Sequence, residues 1–300
     1  MRSVFALLLV MIAPAATAAG QDPVPPTAAD VLSIGTDIPG RMTVPVTIGG
    51  SGPFPFTIDT GAERTVISRE LAQLLNLQPG PGIRITAMTG TSSVGTVQIN
   101  ALAVSSAGRA RIEAPLLEGR NLGAPGLLGI DSLQGHAVSI NFDTQRMAVT
   151  SARRARMTGE PDDVVVRARS LHGQLVITDA YFNGTRVRVV LDTGSVVSMG
   201  NLALKAKLGR RVTFSPISVV SVTGQALKAD YARIGDVHLG GVIFQDLPVA
   251  FADAAPFQRL GLEKKPALLL GMDALRQFRR VDIDFANREL RLALPRPANG

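Results

Sequence analysis

The sequence predicts a mostly β protein made of two related β-barrel lobes, with pseudo-twofold symmetry and a cleft between them. First, the triplet Asp-Thr-Gly occurs at residues 59–61 and again at 192–194. Second, a Leu-Leu-Gly motif follows each triplet and ends at Gly129 or Gly271, 70 and 79 residues after the two aspartates. Third, most of the chain consists of short alternating apolar and polar segments broken by Gly and Pro, the pattern of half-buried strands. A repeat of this length exceeds a solenoid unit and indicates a duplicated lobe.

The individual elements repeat in the same order in both halves. Matching strand-like segments are 54–58 with 187–191, 85–91 with 220–225, and 138–142 with 281–285. Asn183-Gly184 predicts a tight hairpin turn between two strands. Helical spacing is confined to short segments, chiefly 69–77 with Ser68 as its N-cap. Asp131 and Asp273 are predicted to be the N-caps of two further short helices.

The order of segments predicts an exported protein. Residues 1–18 have the features of a signal peptide, namely Arg2, a short apolar run over 4–12, and a small-residue cleavage site ending at Ala18. A Pro/Ala-rich tether (19–36), a first lobe (37–151), a linker (152–163) and a second lobe (164–300) are expected to follow. We therefore expect a periplasmic or secreted protein. An uncleaved N-terminal anchor is the alternative.

Composition excludes several kinds of chemistry. The 300-residue chain is 46% hydrophobic, enough for a substantial core, and has no cysteine, which rules out disulfides, thiolate metal sites and a cysteine nucleophile. Its three histidines have no metal-ligand spacing, and no phosphate-binding or dinucleotide-binding loop is present. The sequence therefore predicts no metal and no cofactor.

The formal net charge of +7 does not point to nucleic acid. The positive residues are dispersed, aromatic residues make up only 4%, and the densest basic cluster, 153–156, lies in the predicted linker. A solvated linker explains that cluster better than a binding patch. We expect no nucleic-acid partner, and at most a weak association with anionic envelope surfaces.

Two aspartates contributed by two symmetric halves can form a catalytic pair. If Asp59 and Asp192 meet, their like charges cannot both persist at contact distance, so the pair holds one proton. The ionised carboxylate can then take a proton from a bound water while the protonated one polarises a carbonyl group. This arrangement lets water attack an amide without a metal or a covalent intermediate.

These motifs resemble those of the aspartic protease superfamily, which includes retropepsin-like and pepsin-like enzymes and is the standard example of two carboxyls sharing a proton. The resemblance covers about residues 41–294. The doubled motif is similar to the single-chain, two-lobed arrangement, and the short lobes look more like bacterial retropepsin-like proteins. The resemblance implies a catalytic pair, residues that orient it, glycines packed beneath it, and two flaps over the cleft. The catalytic pair would be Asp59 and Asp192, oriented by Thr60, Gly61, Thr193, Gly194 and Ser195. The glycines beneath the pair would be Gly129 and Gly271. The flap residues would be Thr89, Gly90, Thr223 and Gly224.

The sequence departs from the family pattern at two places. Neither predicted flap contains the tyrosine of pepsin-like flaps, which favours a two-flap, retropepsin-like cleft. The residue after the triplet is Ala62 in one half and Ser195 in the other. Because a serine hydroxyl can stabilise an ionised carboxylate, Asp192 is predicted to ionise more readily than Asp59.

The resulting expectation is an exported aspartic endopeptidase that binds an extended polypeptide and works at acidic to mildly acidic pH. The alternative is a catalytically silent peptide-binding or scaffolding protein with the same fold. Because the linker is short, a monomer with both lobes in one chain is favoured, and a homodimer is the other arrangement.

Overall fold

The structure is a computed structural model that describes residues 30–33, 43–104, 110–151, 160, 162–210 and 212–296. The predicted signal peptide, most of the predicted tether and linker, and the basic cluster 153–156 lie outside the described residues. Residues 30–33, inside the predicted tether, form a strand.

The described part of the chain is mostly β, with short helices. In the first half the elements are β1 (Asp30–Ser33), β2 (Thr43–Ile48), β3 (Ser51–Ile58), β4 (Val66–Ser68), α1 (Arg69–Leu74), β5 (Gln78–Ala87), β6 (Gly90–Ala103), β7 (Ala110–Leu117), α2 (Gly119–Leu122), β8 (Gly126–Leu128), α3 (Ile130–Leu133), β9 (His136–Asn141) and β10 (Arg146–Ser151). In the second half they are β11 (Val164–Leu171), β12 (Gln174–Phe182), β13 (Thr185–Leu191), β14 (Ser198–Gly200), α4 (Leu202–Lys205), β15 (Ser215–Val220), β16 (Ala226–Ile234), β17 (Val237–Leu239), β18 (Val242–Phe244), β19 (Leu247–Phe251), α5 (Ala255–Arg259), β20 (Ala267–Leu270), α6 (Met272–Leu275), β21 (Arg280–Asp284) and β22 (Glu289–Ala293). Within these residues, no helix combines the length and apolar character needed to cross a bilayer.

The first lobe is a seven-stranded sheet in the order β2-β3-β8-β4-β7-β6-β5. Strand β2 pairs with both β3 and β6, so the sheet closes on itself. The second lobe repeats this order as β12-β13-β20-β14-β19-β16-β15, with β17 and β18 added beside β12. The predicted two-lobed, mostly β fold is confirmed.

A shared sheet joins the two lobes. It runs β1-β10-β9-β21-β22-β11 and continues through β12 into the second lobe. At its centre the equivalent strands β9 and β21 pair antiparallel, with Ile140 opposite Val281. Because this contact lies between symmetry-related strands, the two lobes face each other about a pseudo-twofold axis.

Each Asp-Thr-Gly triplet follows a strand at the centre of its lobe. Strand β3 runs parallel to β8, which carries the first Leu-Leu-Gly motif, and β13 runs parallel to β20, which carries the second. The backbone N–H of Asp59 donates to Leu128 O (2.9 Å), and that of Asp192 donates to Leu270 O (3.0 Å). The paired motifs of the sequence are therefore neighbours in space in both lobes.

Most local expectations are confirmed, and the helices need two corrections. Asn183 and Gly184 both have positive φ, at 46° and 73°, as the predicted hairpin requires. Ser68 caps α1 by accepting a hydrogen bond from Leu71 N, but the helix ends at Leu74 because Asn76 turns left-handed (φ 47°). The prediction that Asp131 and Asp273 are N-caps is wrong: Gly129 and Gly271 hold the N-cap positions of α3 and α6, and both carboxylates bind elsewhere.

Candidate active site

The two aspartates lie in matching turns directly after β3 and β13. Asp59 Oδ1 accepts hydrogen bonds from the backbone N–H groups of Gly61 (2.8 Å) and Ala62 (3.0 Å). Asp192 Oδ1 accepts from Gly194 N (3.2 Å). These bonds fold each carboxyl back over its own turn and fix its position. Asp59 is half-buried, whereas Asp192 is only 5% exposed.

The two turns bring the carboxyl groups together across the lobes. The two carboxyls lie on either side of Gly61, where an added Cβ would be 2.8 Å from Asp192 Oδ1 and 3.1 Å from Asp59 Oδ1. Each glycine of the triplets lies against the aspartate of the opposite lobe: a Cβ on Gly61 would lie 2.8 Å from Asp192 Oδ1, and one on Gly194 would lie 2.2 Å from Asp59 Cγ. Only glycine at these positions lets the two carboxyls approach this closely.

Two threonines lock the turns together beneath the carboxyls. Thr60 Oγ1 donates to Leu191 O (2.9 Å), and Thr193 Oγ1 donates to Ile58 O (3.0 Å). Each hydroxyl also accepts the backbone N–H of the other threonine, at 3.1 Å in both directions. Thr60 and Thr193 are 2% and 0% exposed, so these four bonds are shielded from water. They fix the relative position of the two lobes at the carboxyl pair.

A second set of hydrogen bonds, between a hydroxyl side chain and the Leu-Leu-Gly turn of each lobe, was not predicted from the sequence. Thr65 and Ser198 each lie six residues after an aspartate of the pair. Thr65 Oγ1 donates to Asp131 Oδ1 (2.7 Å) and accepts from Gly129 N (3.1 Å). In the second lobe, Ser198 Oγ binds Asp273 Oδ1 (2.7 Å) and Gly271 N (3.0 Å) in the same way. Hydroxyl residues at the same offset in both halves were the signal that could have revealed this contact.

The Leu-Leu-Gly turns pack directly under the carboxyl-bearing turns. Ile130 N donates to Ala62 O, and Met272 N donates to Ser195 O, both at 2.9 Å. A Cβ on Gly129 would lie 2.3 Å from the backbone carbon of Arg64. The glycine at this position is therefore required by close backbone packing.

Burial and the Ser195 hydroxyl act in opposite directions on Asp192. Burial is the larger effect and raises the pKa of Asp192, because the charged form is poorly solvated there. Ser195 Oγ donates to Asp192 Oδ2 (2.8 Å), and this bond lowers the pKa of Asp192. The expected hydroxyl contact is present, and burial is a second effect on the pKa of Asp192 that the sequence did not reveal. Burial therefore favours the neutral form of Asp192, whereas the Ser195 hydroxyl favours its ionised form.

Substituting Ser195→Ala should shift the pH of maximal activity upward. The substitution removes a donor that stabilises ionised Asp192, so the pKa of Asp192 rises further and the proton is retained to higher pH. The measurement is kcat/KM against pH for one cleaved peptide, in the wild type and in the variant. A pH profile that is superimposable on that of the wild type would show that the hydroxyl does not control this ionisation.

The predicted flap residues lie at the tips of two hairpins. Gly90 directly follows the turn between β5 and β6, and its φ is 136°. Thr223 and Gly224 lie in the turn between β15 and β16, where Gly224 has φ 83°. The two tips meet, since Thr89 Oγ1 donates to Gln225 Oε1 (2.8 Å). Together the hairpins cover the carboxyl pair.

Each flap also contacts the opposite lobe. Met88 O, at the tip of the first flap, accepts a hydrogen bond from Ala255 N in α5 (3.1 Å). Gly224, at the tip of the second, lies against the side chain of Asn121 in α2, which a Cβ on the glycine would meet at 2.8 Å. The flaps are therefore closed over the site in this structure.

The flaps and lobes line a cleft of about 620 Å³, and both aspartates are among its lining residues. Its two walls are apolar clusters, one in each lobe, and each receives a residue from the flap of the other lobe. The first wall contains Val66, Leu117, Leu122 and Leu127 with Val222 from the second flap; the second contains Val190, Met199, Leu260 and Leu269 with Met88 from the first flap. Such walls suit apolar side chains on both sides of the carboxyl pair.

One end of the cavity is bridged by an ion pair between the lobes. Arg259 Nε and Nη2 bind the two carboxylate oxygens of Glu63 at 3.1 and 3.2 Å. Both side chains are more than a third exposed, so the pair contributes little to stability. No group of three or more His, Asp or Glu side chains in the described residues is arranged to hold a metal ion.

Comparison with known proteins identifies a family to which the chain is similar. The model of a family described as aspartyl protease matches residues 44–132 and again residues 176–274, together more than half of the chain. Each matched region contains one Asp-Thr-Gly triplet and its Leu-Leu-Gly motif. A search of curated proteins found no match.

Proposed function

The chain belongs to the aspartyl protease family, and from this premise we propose that it is an active endopeptidase that cuts extended polypeptides. The observation that carries the proposal is the carboxyl pair itself. Asp59 and Asp192 come from different lobes, lie close together, and line the cavity beneath both flaps. Water is the nucleophile in this reaction, and neither carboxyl forms a bond to the substrate.

The pair acts as general base and general acid. The single proton titrates with the pair as a whole, and the proposed mechanism starts with it on Asp192, the more deeply buried carboxyl. Asp59 then takes a proton from a water between the carboxyls, while Asp192 donates its proton to the oxygen of the scissile carbonyl. In the second step Asp59, now protonated, donates that proton to the nitrogen of the tetrahedral intermediate, and Asp192 takes a proton back from one of its hydroxyls. The C–N bond breaks, and the pair again holds one proton.

The flaps supply main-chain binding for an extended segment. Strands β5 and β15 lie at the ends of the strand order in their lobes, and residues of both line the cavity. An extended peptide between them can pair with their free edges, and its side chains can enter the two apolar walls. A folded domain would not fit a cavity of about 620 Å³. The substrate is therefore an unfolded or flexible segment of a polypeptide.

We also propose where in or outside the cell the protein acts. The signal-like segment 1–18 supports export, with cleavage near Ala18, and action in the periplasm or outside the cell. Both carboxyls come from one chain, which supports a monomer as the active form.

The proposal is tested by digestion of a mixed peptide library at pH 4 to 7, with products identified by mass spectrometry. We expect cleavage between apolar residues that is strongest at acidic pH and unaffected by a chelator. A parallel preparation of Asp59→Asn reveals any contaminating protease. Folded protein that binds peptides without cutting them would contradict the proposal and establish the silent peptide-binding protein instead.

A further inference from the structure

Gln174 is a cavity residue that the carboxyl-pair mechanism does not use. It begins β12 in the second lobe, is 7% exposed, and lines the cavity together with both aspartates. Its side chain crosses to the first lobe, where Nε2 donates a hydrogen bond to Gly61 O. The hydrogen-bond acceptor Gly61 O, next to the carboxyl pair, is thus bound by a side-chain amide.

The Gly61 carbonyl is well placed to receive a main-chain N–H of a bound peptide. Two other carbonyls of its turn have main-chain donors: Asp59 O accepts from Ala62 N (3.3 Å), and Ala62 O accepts from Ile130 N (2.9 Å). Gly61 itself lines the cavity. The amide of Gln174 gives this carbonyl the same kind of donor that a peptide bond would give it.

The other end of the same amide is unsatisfied. Gln174 Oε1 is buried and has no hydrogen-bond partner among the residues that the structure describes. A buried acceptor without a partner destabilises the conformation that buries it, because the lost hydrogen bonds to water are not replaced. Moving the side chain away from Gly61 would let Oε1 recover a hydrogen bond, so the present position is one that a competing donor can readily displace.

We propose that Gln174 is a displaceable occupant of the substrate site, which imitates a peptide N–H on Gly61 O and gives way when an extended substrate binds. This inference rests on the proposed function and makes Gln174 a specificity-determining residue. A substrate must offer an N–H in the right register to replace the amide. Segments that lack this donor, such as those with proline at that position, are bound poorly because Gly61 O would lose its partner.

The kinetic test compares the wild type with Gln174→Ala on one peptide found in the library digestion. Removing the internal competitor should lower KM by about two- to tenfold, the effect of one net hydrogen bond, while kcat stays within about twofold. Gln98→Ala, on β6 away from the cavity, is the matched control and should leave both constants unchanged. A higher KM, or a clear loss of kcat, would overturn the inference, because Gln174 would then bind substrate or hold the turn.

A second readout does not depend on turnover. In ¹⁵N-labelled wild-type protein, the Gln174 side-chain amide is identified by its disappearance in Gln174→Ala, and we expect it to exchange slowly with solvent. A reduced-amide analogue of the peptide, which resists cleavage, should make that exchange at least about tenfold faster at saturation. Fast exchange in the free protein, or unchanged protection once the analogue is bound, would overturn the inference while leaving the proposed function intact. A wild type that cuts no peptide would instead remove the proposed function.

Discussion

Asp59→Asn and Asp192→Asn should each lower kcat/KM by about a thousandfold or more. Each substitution removes one member of the acid–base pair, and general acid–base catalysis by a positioned side chain is worth about 10²–10⁴-fold. Because the two carboxyls act as a unit, the double variant should be little worse than either single variant. The measurement is kcat/KM for one peptide at its optimal pH in all three variants.

The matched control is Asp246→Asn, which also converts a carboxylate to an amide. Asp246 forms an exposed ion pair with Arg233 and does not line the cavity, so activity should be retained. If only one of the two substitutions in the pair abolished activity, the pairing across lobes would be wrong. The homodimer, in which each lobe pairs with its copy in a second chain, would then be tested by analytical ultracentrifugation.

Thermal unfolding shows whether the Asp192→Asn variant is folded. It also tests a second prediction, that the substitution raises the melting temperature. The pKa of Asp192 is raised by burial, so protonated Asp192 favours the folded state, and this contribution is lost as pH rises through the folded pKa. Asparagine carries no charge at any pH. The variant should therefore gain Tm relative to the wild type as pH rises above the ordinary pKa of an aspartate, and the gap should widen until pH passes the folded pKa.

Gly194→Ala should abolish most activity and also destabilise the protein. The added Cβ would lie 2.2 Å from Asp59 Cγ and 2.3 Å from Asp59 Oδ2, so the carboxyl or the turn must move. A displacement of about 1 Å can cost 10²-fold in rate, and overpacking costs about 1–3 kcal/mol in the free energy of unfolding. Activity and urea denaturation of the variant measure the two effects separately.

Gly209→Ala is the matched control. It shows the effect of replacing a glycine by alanine where the added methyl group contacts nothing. Nothing lies within 4 Å of the position where its Cβ would be, and its backbone is not left-handed. Activity and stability should both remain near those of the wild type. Full activity in Gly194→Ala would show that the carboxyls do not need the close approach seen in the structure.

Much of the fold was predictable because each informative sequence motif occurs twice, once in each half of the chain. One Asp-Thr-Gly triplet carries little information, but two triplets with matched strands and matched Leu-Leu-Gly motifs specify two equivalent lobes. The Asn183-Gly184 turn and the Ser68 cap were correct because both depend on residues close in sequence. The extent of α1 was wrong because a left-handed Asn76 ends the helix before its apolar spacing does.

The features that could not be predicted depend on contacts between residues far apart in the sequence. Asp131 was predicted to cap its own helix, but its carboxylate binds Thr65, 66 residues earlier in the chain. The pKa of Asp192 depends on how completely the lobes bury it, and the hydroxyl at Ser195 gave only the smaller of two opposing effects. Burial of a charge depends on everything packed around it, and no local pattern reports it.

The sequence by itself determined that this protein has two lobes, that each supplies one aspartate, and that Gly and Thr follow each aspartate. These features lie in the order of residues along the chain and need no knowledge of packing. Only the tertiary structure decided that the lobes interlock through Thr60 and Thr193, that both flaps close on opposite lobes, and that Gln174 reaches Gly61. The physical reason is that a hydrogen bond between distant residues exists only once the fold has brought donor and acceptor within about 3 Å.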